Sequence, residues 1–217
     1  MDVSFIHREE SFVVVDKPSG MIVHRGLADD AMDVMRAVRN VVGSWVYPVH
    51  RLDRGTSGAL VMALDPETAK RLGKAFEAGR VEKRYLALTR GRPEDGEIDH
   101  PVPKAEDGPR VAAVTRVRCL GVAGRYALVE AVPLTGRMHQ IRRHLKHVSC
   151  PIIGDVKYGK GEHNRHFRYT YGLHRLALHA TELAFEHPVT GERLRFSSPL
   201  DGALKDTVAA LGLSLPA

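Results

Sequence analysis

The chain has 217 residues, 43% hydrophobic and 27% charged, with 32 Lys and Arg against 26 Asp and Glu for a net charge of +6. The hydrophobic share is enough for a sizeable core, and the modest basic excess favours an anionic partner, nucleic acid first. Its two cysteines exclude a disulfide framework and a four-cysteine zinc site, and no stretch reaches the roughly 18 apolar residues of a membrane span.

In chain order, Ser11 to Lys17 reads as a short buried strand, stopped by the turn chemistry of Pro18-Ser19-Gly20. Asp29 or Asp30 is placed to cap a helix running to about Val42, with Met32, Met35, Val38 and Val42 on one face and Gly43 closing it. A loop from Tyr47 to Gly58 leads into an apolar strand, Ala59 to Leu64. Asp65-Pro66 starts a second helix, with Pro at the first helical position, Leu72, Ala75 and Phe76 facing inward, and Gly79 ending it. Strand-like runs follow at Val81 to Thr89, Val111 to Leu120 and Tyr126 to Pro133. Between the first two, Gly91 to Arg110 holds four prolines and reads as an irregular surface insertion. A helix from Met138 to Val148, strands at Leu176 to Glu186 and Arg193 to Phe196, and a helix from Leu200 to Leu211 complete the series. Strands outnumber helices without strict alternation, which predicts an α+β fold with a mixed, largely antiparallel sheet flanked by helices and loops. The whole chain, 1–217, is expected to form a single domain, with no further domain ahead of the first strand.

Chemistry concentrates in His50-Arg51-Leu52-Asp53-Arg54-Gly55-Thr56-Ser57-Gly58. Arg51 and Arg54 favour the ionised form of Asp53, and an ionised, positioned carboxylate is a competent nucleophile. Gly55 and Gly58 let a backbone pass close to a ligand, while Thr56 and Ser57 can fix the loop. A structural ion-paired turn has the same residues, so the alternative stays open on this stretch alone. Gly-x-Ser-x-Gly is absent here, which argues against a serine hydrolase elbow, and no phosphate-loop motif occurs.

The stretch His50 to Gly58 resembles the signature of the RluA-type family of pseudouridine synthases, His-Arg-Leu-Asp-x-x-Thr-Ser-Gly, at every fixed position. Four further blocks resemble the family in order: Asp16 to Gly20 with Val23-His24; Lys83-Arg84-Tyr85-Leu86-Ala87; Leu134 to Arg142; and Pro151 to Asp155 with Leu178-His179-Ala180. The resemblance implies an isomerase that flips a uridine out of its stack and needs neither cofactor nor metal. It makes Asp53, Tyr85 and Arg137 the catalytic set. Asp53 is the expected nucleophile, Tyr85 lies against the uracil and assists late proton removal, and Arg137 pairs with the Asp53 carboxylate. His50, Arg51, Arg54, Thr56 and Leu178 are the expected substrate-binding residues around them.

The helix after Gly136 carries a second signal. Met138, Ile141, Leu145 and Val148 share a face, and His139, Arg142, Arg143 and Lys146 form a basic stripe beside it. Arg142, Arg143 and Lys146 are therefore expected to contact phosphate, although a solvated basic face has the same spacing. Lys157 to Arg168 interleaves basic and aromatic residues, as a flexible RNA-contacting loop would. His139, His144 and His147 form no recognised metal-ligand set. The blocks from Pro151 onward resemble the subgroup that modifies uridine 65 in the T-stem region of tRNA. The expected protein is a cytoplasmic, monomeric tRNA-modifying enzyme with no membrane partner; the alternatives are a 23S ribosomal RNA synthase of the same family and a catalytically silent RNA-binding protein.

Overall fold

The computed structural model describes residues 3–24, 33–105, 108–200 and 202–215. In chain order the elements begin with β1 (Ser4–Arg8), β2 (Phe12–Lys17), α1 (Val34–Val42), β3 (Tyr47–Pro48), β4 (Ser57–Ala63) and α2 (Pro66–Glu77). They continue with β5 (Glu82–Arg90), β6 (Gly96–Asp99), β7 (Val102–Pro103), β8 (Arg110–Val111), β9 (Val114–Ala123) and β10 (Tyr126–Pro133). Last come α3 (Gln140–His147), α4 (Gly161–Tyr171), β11 (Leu178–Glu186), β12 (Arg193–Ser197) and α5 (Gly202–Ala210). This is the α+β class the sequence predicts. The chain divides into two compact units, Met1–Lys83 with Ala180–Pro199, and Arg84–His179 with Leu200–Ala217.

In the first unit the strand order is β1-β2-β4-β11, with β12 on β11 and β3 on β4. Strand β2 runs antiparallel to β4, placing Phe12 opposite Ala63 and Lys17 opposite Gly58. Every residue of β4 is buried, so both faces of this strand are covered. Phe12, Val14, Ala59, Val61, Leu72, Leu183 and Phe185 form a continuous core. Each of the Phe, Val and Leu side chains among them contributes roughly 1.5–3 kcal/mol of burial free energy. Phe12 meets Phe185 edge-on at 5.4 Å, tying β2 to β11.

Helix α1 starts at Val34, where the Asp33 carboxylate accepts the Arg36 N–H at 2.7 Å. The expected caps Asp29 and Asp30, and Met32, lie outside the described residues. Gly43 closes α1 in the left-handed conformation, as the sequence predicts. Asp65 caps α2 through the Thr68 N–H, with Pro66 at the start.

In the second unit the order is β5-β10-β9-β6, with β7 paired to β8. The β9–β10 hairpin turns through Gly124-Arg125, leaving Ala123 opposite Tyr126. The register of β10 on β5 sets Tyr126 against Arg90 and Ala131 against Tyr85.

Three sequence expectations need correction. Strand β1 was not foreseen: its residues are only partly buried and show no strong alternation. Gly91 to Arg110 is not wholly irregular, because Gly96–Asp99 pairs with β9 and Val102–Pro103 with β8. Lys157 to Arg168 is not a flexible loop throughout; from Gly161 it is helix α4, anchored by buried His163 and Phe167 one turn apart.

Gly58 has φ of +110°, and a Cβ there would fall inside the backbone of Ala180 on β11. Replacement by Ala is therefore expected to cost about 3 kcal/mol, from backbone strain and displacement of β11. Urea unfolding measures this, and an unchanged midpoint would show that the two strands can part freely.

Candidate functional site

The Asp53 loop is built from beneath. Lys17 ends β2 with 0% exposure, and its ammonium donates to the carbonyls of Pro18 at 2.9 Å, Met21 at 2.5 Å and Arg54 at 3.2 Å. One buried cation thus holds two loops together, and three carbonyl dipoles offset its desolvation. The Gly20 N–H donates to the same Arg54 carbonyl at 2.8 Å, and Arg54 Nε returns a bond to the Gly20 carbonyl at 3.1 Å. The Ser19 hydroxyl donates to the Gly55 carbonyl at 2.7 Å. Within the loop, the Thr56 N–H donates to the Asp53 carbonyl at 3.0 Å, closing a four-residue turn with Arg54 and Gly55 at its corners. Asp53 is half-buried and Arg51 exposed on this turn.

Two residues expected to bind substrate are engaged within the fold itself. Thr56 is only 2% exposed and supports the turn. His50 accepts the Val61 N–H on Nε2 at 3.1 Å, and its ring stacks on Phe76 at 4.3 Å. Burial, with the nearby Lys83 charge, pushes the His50 pKa down to about 3. A neutral ring is what the bond from Val61 requires.

The second unit carries Tyr85, Arg137 and Leu178. Tyr85 is buried on β5, and Leu178 is buried at the start of β11. Arg137 is exposed on a loop organised by Gln140, itself 4% exposed. The Gln140 side-chain carbonyl accepts from the Thr135 hydroxyl at 2.6 Å and the Arg137 N–H at 3.0 Å. Its amide nitrogen donates to the Val114 carbonyl and the Thr115 hydroxyl, both at 2.9 Å. All four hydrogen-bonding positions of the amide are used, and the backbone of Arg137 is fixed by them. Arg137 Nε also donates to the Ala112 carbonyl at 3.2 Å.

The basic stripe divides. Arg142 is not an outward phosphate ligand: it forms a two-pronged pair with buried Asp155, Nε to Oδ2 at 2.8 Å and Nη2 to Oδ1 at 3.0 Å. Burial pushes the Asp155 carboxyl up, but the Arg142 bonds and charge and the Tyr158 and Lys157 N–H groups outweigh it and hold it below the usual range. Arg143 spends two of its five donors on the Tyr158 hydroxyl at 3.0 Å and the Pro103 carbonyl at 2.9 Å. Lys146 is exposed. On the other side of α3, His144 is buried against the Thr115 hydroxyl and the His100 carbonyl. Met138 and Val148 lie outside the helix proper, and Val148 is exposed, so the buried face is Gln140, Ile141, His144 and Leu145.

Sequence reasoning missed Lys17, Gln140 and Asp155 as organisers. All three lie inside motif blocks, and the only signal was a polar residue beside an apolar run. Among the described residues no helix is long and apolar enough to cross a membrane.

Comparison with known proteins places this geometry. A family model described as RNA pseudouridylate synthase matches residues 11–147. A protein named tRNA pseudouridine synthase C from Haemophilus ducreyi is 40% identical over 224 residues, 93% of this chain and 92% of its own length. One of the same name from Vibrio cholerae is 37% identical over 97% of this chain and 96% of its own. The solved structure of human RNA pseudouridylate synthase domain containing 4 matches with a TM-score of 0.81 at 27% identity, covering 99% of this chain and 95% of that one. The chain belongs to the RNA pseudouridylate synthase family.

Lys17→Met removes the ammonium that holds the three carbonyls and is expected to cost about 3 kcal/mol in denaturant unfolding. Amide exchange at Gly20 and Thr56 should accelerate about tenfold or more as their bonds to the turn loosen; unchanged exchange would show the turn standing without the lysine. His50 gives a pH signature. The folded state keeps the ring neutral to about pH 3, while the unfolded chain protonates near 6.5. Its contribution is thus complete above pH 6.5 and declines toward pH 3 by about 1.4 kcal/mol per pH unit. His50→Gln keeps an acceptor for Val61 without a titrating group, so the stability difference between wild type and variant should slope through that window and be flat above it.

Proposed function

We propose that this protein isomerises a uridine of tRNA to pseudouridine, the target being uridine 65 in the T-stem region. The observation that carries the reading is the family's Asp-bearing loop held as a braced turn, with its scaffold of Lys17, Gly20 and Thr56 intact. The relatives named tRNA pseudouridine synthase C, matched over more than nine-tenths of this chain, support tRNA as substrate. Exposed Lys146, Arg165 and Arg168 supply cations suited to phosphate, as does Arg143 with its remaining donors.

The reaction breaks N1–C1′, turns the uracil and forms C5–C1′. The proton lost from C5 balances the one gained at N1, so nothing is oxidised and no group leaves. Extrusion of the base must come first, because a stacked uracil hides its reacting atoms. In this reading Asp53 is the nucleophile and Tyr85 lies against the base and assists loss of the C5 proton. Arg137, Leu178 and Arg51 keep the roles that the family resemblance gives them. Arg54 holds the turn. The enzyme acts in the cytoplasm as a monomer.

The test is conversion of an unmodified tRNA transcript by purified protein, with chemical mapping of pseudouridine. Asp53→Ala should lower conversion by about a thousandfold or more while tRNA retention stays within about threefold. Residual turnover at the wild-type rate would remove Asp53 from the nucleophile role. Conversion of 23S ribosomal RNA in place of tRNA would select the ribosomal substrate.

A further inference from the structure

Trp45, the only tryptophan in the chain, is 56% exposed. A single exposed aromatic is ordinary, but here exposed Val41 and the neighbouring Tyr47 ring make it part of a contiguous apolar patch, and such patches mark contact surfaces. One indole face is already occupied. The guanidinium carbon of Arg39 sits 3.8 Å from the ring centroid, a close cation–π stack. Arg39 Nε and Nη2 are out of solvent with no acceptor among the described residues, as expected of a guanidinium lying flat under an aromatic ring. The pair is therefore rigid on its inner side and open on its outer side. Tyr47 meets the indole edge-on at 6.5 Å, and exposed Val41 extends the apolar surface.

The surroundings indicate what the open face takes. Helix α1 carries Arg36 and Arg39 and no acid from Val34 to Val42. Its first turn is anchored beside the Asp53 loop: the Val34 and Met35 N–H groups donate to the carbonyls of Ile22 and Val23, both at 3.0 Å. Those carbonyls follow Gly20, which is bonded to Arg54. The helix then runs for nine residues, ~13 Å at 1.5 Å each, toward Gly43 and Trp45. The strand register agrees in scale, since Tyr47 pairs with Ala63 at the end of β4 away from Ser57, about 20 Å along the strand. This distance is spanned by about four to six stacked nucleotides at roughly 3.4 Å each.

We propose that the outer face of Trp45, backed by Arg39, stacks on an unpaired base of the RNA substrate, with Arg36 contacting its backbone. The inference rests on the RNA-modifying reading above and adds to it a recognition point remote from the reacting uridine. Base–aromatic stacking tolerates any base, so this contact supplies affinity and register rather than sequence choice.

The experiment uses the lone indole as its own reporter. Titrating the full chain with an unmodified tRNA transcript should quench Trp45 emission by about one third or more and shield it from acrylamide. Trp45→Ala should raise the tRNA dissociation constant about tenfold, and Trp45→Phe should stay within about threefold, since a phenyl ring still stacks. Emission and acrylamide access that do not change while filter retention shows tRNA bound would overturn the proposal, as would Trp45→Ala binding as tightly as wild type. If Trp45→Ala does not fold, the wild-type emission and Trp45→Phe decide. Wild-type protein that neither retains nor converts tRNA would remove the functional reading and this inference together.

Discussion

A buried ammonium governs the shape of the Asp53 turn. Lys17 has no contact with solvent, so its charge can be carried only by oxygens the chain supplies. Pro18, Met21 and Arg54 supply them from the two loops that the β2–β4 pairing brings side by side. A cation out of water costs several kcal/mol unless such partners are fixed in place. The desolvation that threatens the fold is thus what enforces the turn: any geometry that moves the Arg54 carbonyl away leaves the ammonium less well solvated. Gly20, Ser19 and Thr56 then add neutral bonds to a shape already selected.

The second unit achieves the same result with different chemistry. Gln140 is neutral and fully engaged, and it fixes the backbone that carries Arg137. Next to it, the pair of Arg142 and Asp155 ties α3 to the segment after Ile153, with Lys157 and Tyr158 N–H groups completing the carboxylate's shell. In each case a buried polar group is spent on backbone so that an exposed neighbour is presented in one conformation. Residues that look reactive in a one-dimensional reading are divided between these two jobs, and burial decides which job each has.

Much of this was legible in the sequence. The Asp65-Pro66 helix start, the Gly43 stop and the apolar runs of β2 and β4 depend on local chemistry, while the Asp53 motif was legible through its resemblance to a known family. What escaped depends on partners far along the chain. Arg142 keeps the helical spacing that suggested a phosphate stripe, yet Asp155 lies thirteen residues on and claims it. His50 stands in a catalytic signature, but its acceptor nitrogen belongs to Val61. Strand β1 and the β6 pairing have weak patterns and are set by the neighbours they join. Helix α4 was hidden because its basic and aromatic residues alternate in a way that composition alone reads as a loop, whereas His163 and Phe167 give it a buried side.

The tight crossing at Gly58 also has a consequence in time. Strand β4 takes β11 as a neighbour, and β11 belongs to a segment made only after all of Arg84 to His179. At a synthesis rate of roughly 5–20 residues per second, a nascent chain waits on the order of ten seconds with that edge of β4 paired only to β3 at Met62 and Ala63. Throughout that interval an apolar strand whose second edge is covered by only the two residues of β3 stands next to an unfinished Asp53 loop, open to pairing with another chain. The ribosome-bound intermediate is thus an association-prone form of the protein whose Asp53 turn still lacks the strand against which Gly58 packs.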